Sequence, residues 1–277
     1  MNNIKQTLQW LFRITKENFG NKPNNNITIE FKDELKVMTF NIRRDVAKDD
    51  KNNWQYRKEA IIEMIADNAP DIICMQEVMP HQAKYIASQL SNYYEAIGLE
   101  CFTGRDVTKS FCILGEGLLT LYRKDRYIFK ESERIRLFDG RKINLRRASY
   151  IRLWDKLTSH SVCVVNTHLC HKNDNARYKS VKKLLRCYQD ADCFFNFICG
   201  DFNAHIGNVE SGMNLFTDCF THNPNDEKGT INFFNGPSHR TIDFIFSDSD
   251  IKDTKVIRKK YNNVKFLSDH WPIINTY

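Results

Sequence analysis

No Cys-x-x-Cys pair occurs in the chain, and its nine cysteines are an odd number that sits mostly inside apolar runs such as Ile73-Cys74-Met75 and Phe197-Ile198-Cys199. A disulfide framework is not expected from that pattern, and the thiols read as reduced core residues. Glycine and proline are scarce, at 11 and 6 of 277 residues, which argues against fibrous and low-complexity classes. No apolar run approaches the roughly 18 residues that span a bilayer, and the N-terminus lacks a lysine-led apolar stretch with a small-residue cleavage site. These absences lead to an expected reducing, cytoplasmic location.

What is present is a globular composition, 42% hydrophobic and 27% charged, with Lys and Arg outnumbering Asp and Glu by 41 to 34. The net charge of +7 and the pI near 8.8 suit a polyanionic partner without requiring one. The excess is uneven. Basic residues dominate 123–152, and 177–186 carries five positive charges and no carboxylate.

Residues 2–17 have helical spacing through Ile4, Leu8, Leu11, Phe12 and Ile14, and a polar stretch with Pro23 follows. Residues 1–30 are thus expected to form an appended helix and linker, ahead of one catalytic domain over 31–277. From residue 35, strand and helix patterns alternate. Strands are expected at 35–42, 71–77, 118–123, 143–154, 162–169, 193–199, 241–247 and 272–277, and helices at 57–68, 81–90 and 175–188. So many strands without a break point to an α+β, four-layer α/β/β/α sandwich: two mixed sheets face to face with helices outside. Within 141–154, Ile143, Leu145, Ile151 and Leu153 alternate with Asn144, Arg146, Tyr150 and Arg152, the pattern of a half-exposed strand.

Polar residues able to bind metal or phosphate recur at the ends of apolar strands. Asn41 follows Val37-Met38-Thr39-Phe40, Glu77 closes the next apolar run, and His168 closes Val164-Val165-Asn166-Thr167. Gly200-Asp201-Phe202-Asn203 follows Phe197-Ile198-Cys199, Asp243 separates Ile242 from Phe244, and Asp269-His270 precedes the last strand. One such residue is ordinarily a solvated loop group. Six placements supply the parts of phosphoester hydrolysis, at the strand ends where α/β layers form crevices. A zinc reading of His168-Leu169-Cys170-His171 lacks a second Cys and His cluster to complete it.

These residues resemble the endonuclease/exonuclease/phosphatase superfamily, the deoxyribonuclease I-like hydrolases. The matching pieces are Thr39-Phe40-Asn41-Ile42-Arg43, Met75-Gln76-Glu77-Val78, Asn166-Thr167-His168-Leu169, Gly200-Asp201-Phe202-Asn203-Ala204, Ile242-Asp243-Phe244-Ile245 and Ser268-Asp269-His270-Trp271-Pro272. The resemblance implies that Glu77, with Asn41 and Asp269, holds a metal, and the oxygen-rich set favours Mg²⁺ or Mn²⁺. It implies that Asp243 orients His270, that Asp201 orients or deprotonates the attacking water, and that Asn203 and His168 donate to phosphoryl oxygens. Whether Asp201 or His270 takes the water's proton stays open at this point.

The segment Asn53-Trp54-Gln55-Tyr56-Arg57 resembles bacterial members of the superfamily and some deadenylases. The run Gly-Asp-Phe-Asn-Ala-His at 200–205 departs from the inositol phosphatase pattern, and Arg43 stands where abasic-site endonucleases carry an acid. Arg43 and Arg177 are the candidate substrate contacts, Arg43 having a salt bridge to a loop carboxylate as its alternative. Nucleic acid is the expected substrate, because basic stretches neutralise phosphates and release counterions. A membrane phospholipid or a phosphorylated small molecule is the alternative. No obligate protein partner is implied.

Overall fold

Alternation along each strand decides what meets what. In β1 (Lys36–Asn41), Val37 faces one core while Met38 and Phe40 face another, so Thr39 and Asn41 share the Val37 side. The same alternation recurs in β2 (Ile72–Val78), β7 (His160–His168), β8 (Phe195–Asp201) and β10 (Asp243–Ser247). Ile72, Cys74, Val162, Val164, Phe197, Cys199 and Ile245 turn to one buried layer. Their neighbours Ile73, Met75, Cys163, Val165, Ile198, Phe244 and Phe246 turn the other way.

The computed structural model describes residues 2–18, 20–24, 26–100, 105–109, 115–139, 146–189 and 192–277. The remaining strands are β3 (Tyr94–Glu100), β4 (Gly117–Arg123), β5 (Tyr127–Arg136), β6 (Arg147–Asp155), β9 (Thr221–His222), β11 (Asp253–Val256) and β12 (Ile273–Thr276). Two six-stranded mixed sheets result, β11-β12-β1-β2-β4-β3 and β5-β6-β7-β8-β10-β9. Their inner faces enclose the layer containing Val37, Val164 and Phe197. Helices α2 (Trp54–Asn68) and α3 (Pro80–Gln89) cover the first sheet, and α4 (Asp174–Gln189) and α5 (Met213–Thr217) cover the second. The expected four-layer sandwich is what forms.

Helix α1 (Asn2–Glu17) lies against α3 and the 3₁₀ turn Ala47–Asn52. Ile14 is fully buried, and Arg13 donates to Asp45 at 2.7 Å and to Asn53 at 3.0 Å. Among the described residues no helix is long and apolar enough to cross a membrane.

One expectation changes. Positions 143–145 of the predicted strand, with Arg141 and Asn144, lie outside the described residues. In the part that is described, Arg146 and Tyr150 are both only 8% exposed. The outer face of β6 is not solvated at Tyr150, because that ring packs in one cluster with Val181 and Leu184 of α4. The period-two pattern located the strand, but a covered outer face reads like an exposed one when its residues are Arg and Tyr.

Candidate active site

Each sheet has one parallel pair at its centre, β1 with β2 and β7 with β8. Their C-terminal ends therefore lie together, and β10, antiparallel to β8, starts where β8 stops, with Asp243 opposite Asp201. Asn41, His168, Asp201 and Asp243 occupy the inward side of their strands at this common end. The apolar inner layer thus finishes in a polar one. Just beneath, Gln76 Nε2 donates to Asn166 Oδ1 at 2.9 Å and to Thr39 Oγ1 at 3.2 Å, linking the two sheets under the site.

The backbone turns sharply at three of these ends. Arg43 (φ 58°), Glu77 (φ 58°) and Asn203 (φ 52°) are non-glycine residues in the left-handed region. Glu77 sits where the β2–β4 register shifts between Met75 and Val78, a bulge that swings its carboxylate away from the strand's alternation. Gly200 precedes Asp201 because β7 passes too close for a side chain: a Cβ there would stand 2.0 Å from the Thr167 carbonyl oxygen.

The expected catalytic groups converge. His270 Nδ1 lies 2.9 Å and 3.1 Å from the two Asp243 carboxylate oxygens, and Thr230 Oγ1 donates to Asp243 Oδ2 at 2.6 Å. Asp201 Oδ2 is 3.8 Å from His270 Nε2 and 3.4 Å from His168 Nε2, and accepts from Asn41 Nδ2 at 3.0 Å. The Asn203 N–H donates to Asp201 Oδ1 at 2.9 Å, while its side-chain amide donates to Leu169 O at 3.1 Å. Burial by itself would lower the His270 pKa, but Asp243, then Asp201, outweigh it and push it up to about 10. Burial, reinforced by Asp243, pushes the Asp201 carboxyl up to about 7. Burial, with Arg146 and His270 nearby, holds His168 well below its ordinary value, hence neutral. One imidazole is charged and the other is not.

Glu77 and Asp269 share this cleft of about 690 Å³ with Arg43, Arg146 and Glu116. Glu77 Oε1 accepts from Asn41 Nδ2 at 3.3 Å and its Oε2 from the Arg44 N–H at 3.2 Å. Burial raises the carboxyls of Asp269 and Glu116, and the Glu77 charge adds to it in both. Crowded oxygen donors of one sign are what a hard divalent cation relieves, so the residues fit Mg²⁺ or Mn²⁺. Asn41 would join them only with its amide turned, since Oδ1 now accepts from the Arg43 N–H at 3.0 Å. Among the described residues, Asp201, Asp243 and His270 also bring potential ligand atoms within 4.8 Å of one another. Asp243 is already committed to His270 and Thr230, so that trio is better suited to handling protons.

The two candidate substrate contacts are placed differently. Arg43 lines the cleft but bonds Asp49 at 3.0 Å and 3.1 Å and lies 3.4 Å from Asp269. Arg177 is buried, donates to Cys170 O at 2.5 Å and pairs with Asp174. It lines an adjoining cavity of about 480 Å³, which shares His171 and Asn203 with the cleft.

Sequence reasoning missed Thr230, Arg57 and Glu116. Buried Arg57 donates to Ile42 O at 2.8 Å, Leu267 O at 2.6 Å, Asn52 O at 2.6 Å and Arg43 O at 3.3 Å, fastening the Asn41 turn to the loop before Asp269. Glu116 directly precedes Gly117, which pairs with Val78, so a correct β2–β4 register would have found it.

The comparisons agree with this geometry. A 26% identical endonuclease/exonuclease/phosphatase from Bacteroides vulgatus superposes with a TM-score of 0.73 over 88% of this chain and 98% of its own. A mannosyl-6-phosphatase from Bacteroides thetaiotaomicron, 21% identical, gives 0.73 over 88% and 99%, and D. rerio TDP2 complexed with single strand DNA product, 18% identical, gives 0.70 over 88% and 99%. The latter two identities establish the fold alone. No curated protein matches the sequence. The sequence pattern of the Endonuclease/Exonuclease/phosphatase family, hydrolases of phosphoesters, matches residues 38–270, and the chain belongs to that family.

Proposed function

We propose that this chain is a Mg²⁺- or Mn²⁺-dependent phosphodiesterase that cleaves nucleic acid by in-line attack of an activated water, its catalytic unit being residues 31–277 with α1 appended. The observation that carries the reading is the buried His270–Asp243 pair facing Asp201 in one cleft with Glu77 and Asp269. Glu77, Asp269 and, with its amide turned, Asn41 would hold the cation, which when bound neutralises charge on the phosphoryl oxygens.

Asp201, near neutrality in its titration and held by the Asn203 N–H, is suited to accept the proton of the attacking water. Charged His270 is suited to stabilise the phosphoryl group as negative charge grows and to protonate the leaving oxygen. Neutral His168 donates a hydrogen bond alongside. Asn203 joins it once its amide leaves the Leu169 carbonyl.

Nucleic acid is favoured over a small phosphoester by what surrounds this centre. The adjoining cavity extends the cleft toward the N-terminal end of α4, whose Lys179, Lys182 and Arg186 are exposed. A cation row leading from a cleft follows a polyanion rather than a single phosphate. Nothing in the fold or among the neighbours supports a membrane lipid as substrate. The test offers the purified chain, with Mg²⁺, Mn²⁺ or a chelator, DNA, RNA, a hexose 6-phosphate and sphingomyelin. Metal-dependent cleavage of DNA or RNA is expected, together with its loss in Glu77→Gln. Turnover confined to the hexose phosphate or to sphingomyelin, or fully resistant to chelation, overturns the reading.

A further inference from the structure

Phe233 breaks two rules at once. It is a large aromatic residue 54% exposed, and its backbone, with that of Phe234, is left-handed (φ 53° and 57°). An exposed phenylalanine alone is unremarkable, but two successive bulky residues in that region are strained and persist only when their surroundings fix them. The surroundings here are the active site. The N–H groups of Asn232 and Phe233 both donate to the Asp269 carbonyl, at 2.6 Å and 3.1 Å, and Asn232 Nδ2 donates to Ser268 O at 3.1 Å. Asn232 Oδ1 accepts from the Phe234 N–H at 2.8 Å and its carbonyl from the N–H groups of Asn235 and Gly236, closing the turn. Phe234 is the inner anchor, edge-on to Phe266 at 6.5 Å with the Arg57 guanidinium 5.6 Å away. Phe233 is left at the wall of the cleft that contains His270 and Asp269, and among the described residues no other ring packs on it.

A rigid, exposed aromatic face beside the reacting groups suits a planar ring, because stacking needs a flat partner and is indifferent to its hydrogen-bonding edge. We propose that Phe233 is the platform on which a nucleobase flanking the scissile phosphate stacks, so that the cleft selects phosphodiesters bearing a base over phosphosugars. This rests on the nucleic-acid reading above and names which part of the substrate the wall recognises. Stacking made equally in ground and transition states acts on KM and leaves kcat nearly unchanged.

The experiment is a cycle. Wild type, Phe233→Ala and Phe233→Trp are assayed with Mg²⁺ on single-stranded oligonucleotides that carry either bases throughout or base-free tetrahydrofuran units around the cleavage position. On the base-bearing strand Phe233→Ala should raise KM about 5- to 150-fold, the range that base–aromatic stacking is worth. Phe233→Trp should restore it, and on the base-free strand the Ala change should cost almost nothing. Equal losses on both strands, or none on either, overturn the platform while the nuclease reading stands. If wild type cleaves neither strand, the nuclease reading fails and the platform falls with it.

Discussion

Replacing Asp243 by Asn tests the proton logic of the site with almost no change in shape. Thr230 Oγ1 donates to Asp243 Oδ2 at 2.6 Å while accepting from the N–H groups of Ile242 at 3.0 Å and Asp243 at 3.2 Å, so it cannot readily accept another donor. The new amide must therefore turn its oxygen to Thr230 and its NH₂ to His270 Nδ1. At the Oδ1 position that NH₂ lies 3.1 Å from Nδ1 and opposes a proton there, which disfavours the charged imidazole. Asp243 is the principal group lifting His270 to about 10, and without it burial is opposed by Asp201 and Asp269, so the His270 pKa should fall. Less of the imidazole would then be charged at pH 8. With a displaced acid included, kcat should fall about 10²- to 10⁴-fold. The assay is kcat against pH: the wild-type alkaline limb should lie near 10 and the variant's clearly below it. Because the two residues act as one unit, Asp243→Asn combined with His270→Ala should cost little more than His270→Ala alone. An alkaline limb unmoved in Asp243→Asn, or two losses that simply multiply, would refute the argument.

Three further outcomes are expected. Gly200→Ala should destabilise the fold by about 3 kcal/mol or more in denaturant melts, since the nearest group, the Thr167 carbonyl, is strand backbone, whereas Gly207→Ala, whose nearest neighbour is the His205 ring at 3.6 Å, should be nearly silent. Burial would raise the Asp45 carboxyl, but His81 at 2.9 Å and Arg13 at 2.7 Å outweigh it and hold it below the usual range. Its contribution is thus complete above its unfolded pKa of about 3.9 and lost as pH falls through the lower folded value; Asp45→Asn should lower stability by about 3 kcal/mol at pH 7 and leave a shrinking difference below pH 4. Reversing Lys179, Lys182 and Arg186 should raise KM for nucleic acid and flatten its salt dependence with kcat retained, and a KM equal to wild type at both low and high salt would remove α4 from the substrate path.

How far the sequence could be read follows from which signals are local. The strands of the parallel pairs were legible because each is an apolar run ended by one polar residue, and the runs ending at Asn41, His168 and Asp201 sit within a residue or two of their expected ends. Strand β5 was not. From Ile128 to Glu133 and Arg134 it is an exposed edge, so no face of it need be apolar and no alternation marks it. The 94–100 strand holds Gly98 where Val107 packs closely, which masks its β character. Within the site, strand-end chemistry was visible and lateral support was not: Thr230 lies 13 residues from the Asp243 it serves, and Arg57 reaches Leu267 across 210 positions. Arg146 was taken for an exposed cation because composition does not distinguish a covered sheet face from a wet one.

Left-handed turns occur away from the cleft too, at Ala69, Ser159 and Asn262, but three of the polar groups lining the cleft are carried on such turns. Arg43, Glu77 and Asn203 each hold a conformation costing on the order of 1–2 kcal/mol for a residue with a Cβ. Together that is roughly 3–6 kcal/mol, a sizeable fraction of a domain's net stability of about 5–15 kcal/mol. Glycine adopts such turns without that cost. At 77 a glycine would relieve the backbone but remove the carboxylate, and at 203 it would remove the amide beside Asp201. Each strained residue is instead held by its neighbours in the site: Arg43 by Asn41, Asp49 and Arg57, Glu77 by Asn41 and the Arg44 N–H, and Asn203 by Asp201 and Leu169. Asn41 touches Glu77, Asp201 and the Arg43 N–H. One amide at the end of β1 thereby ties the Glu77 side of the cleft to the Asp201 side, and the proposed reaction needs both at one phosphate.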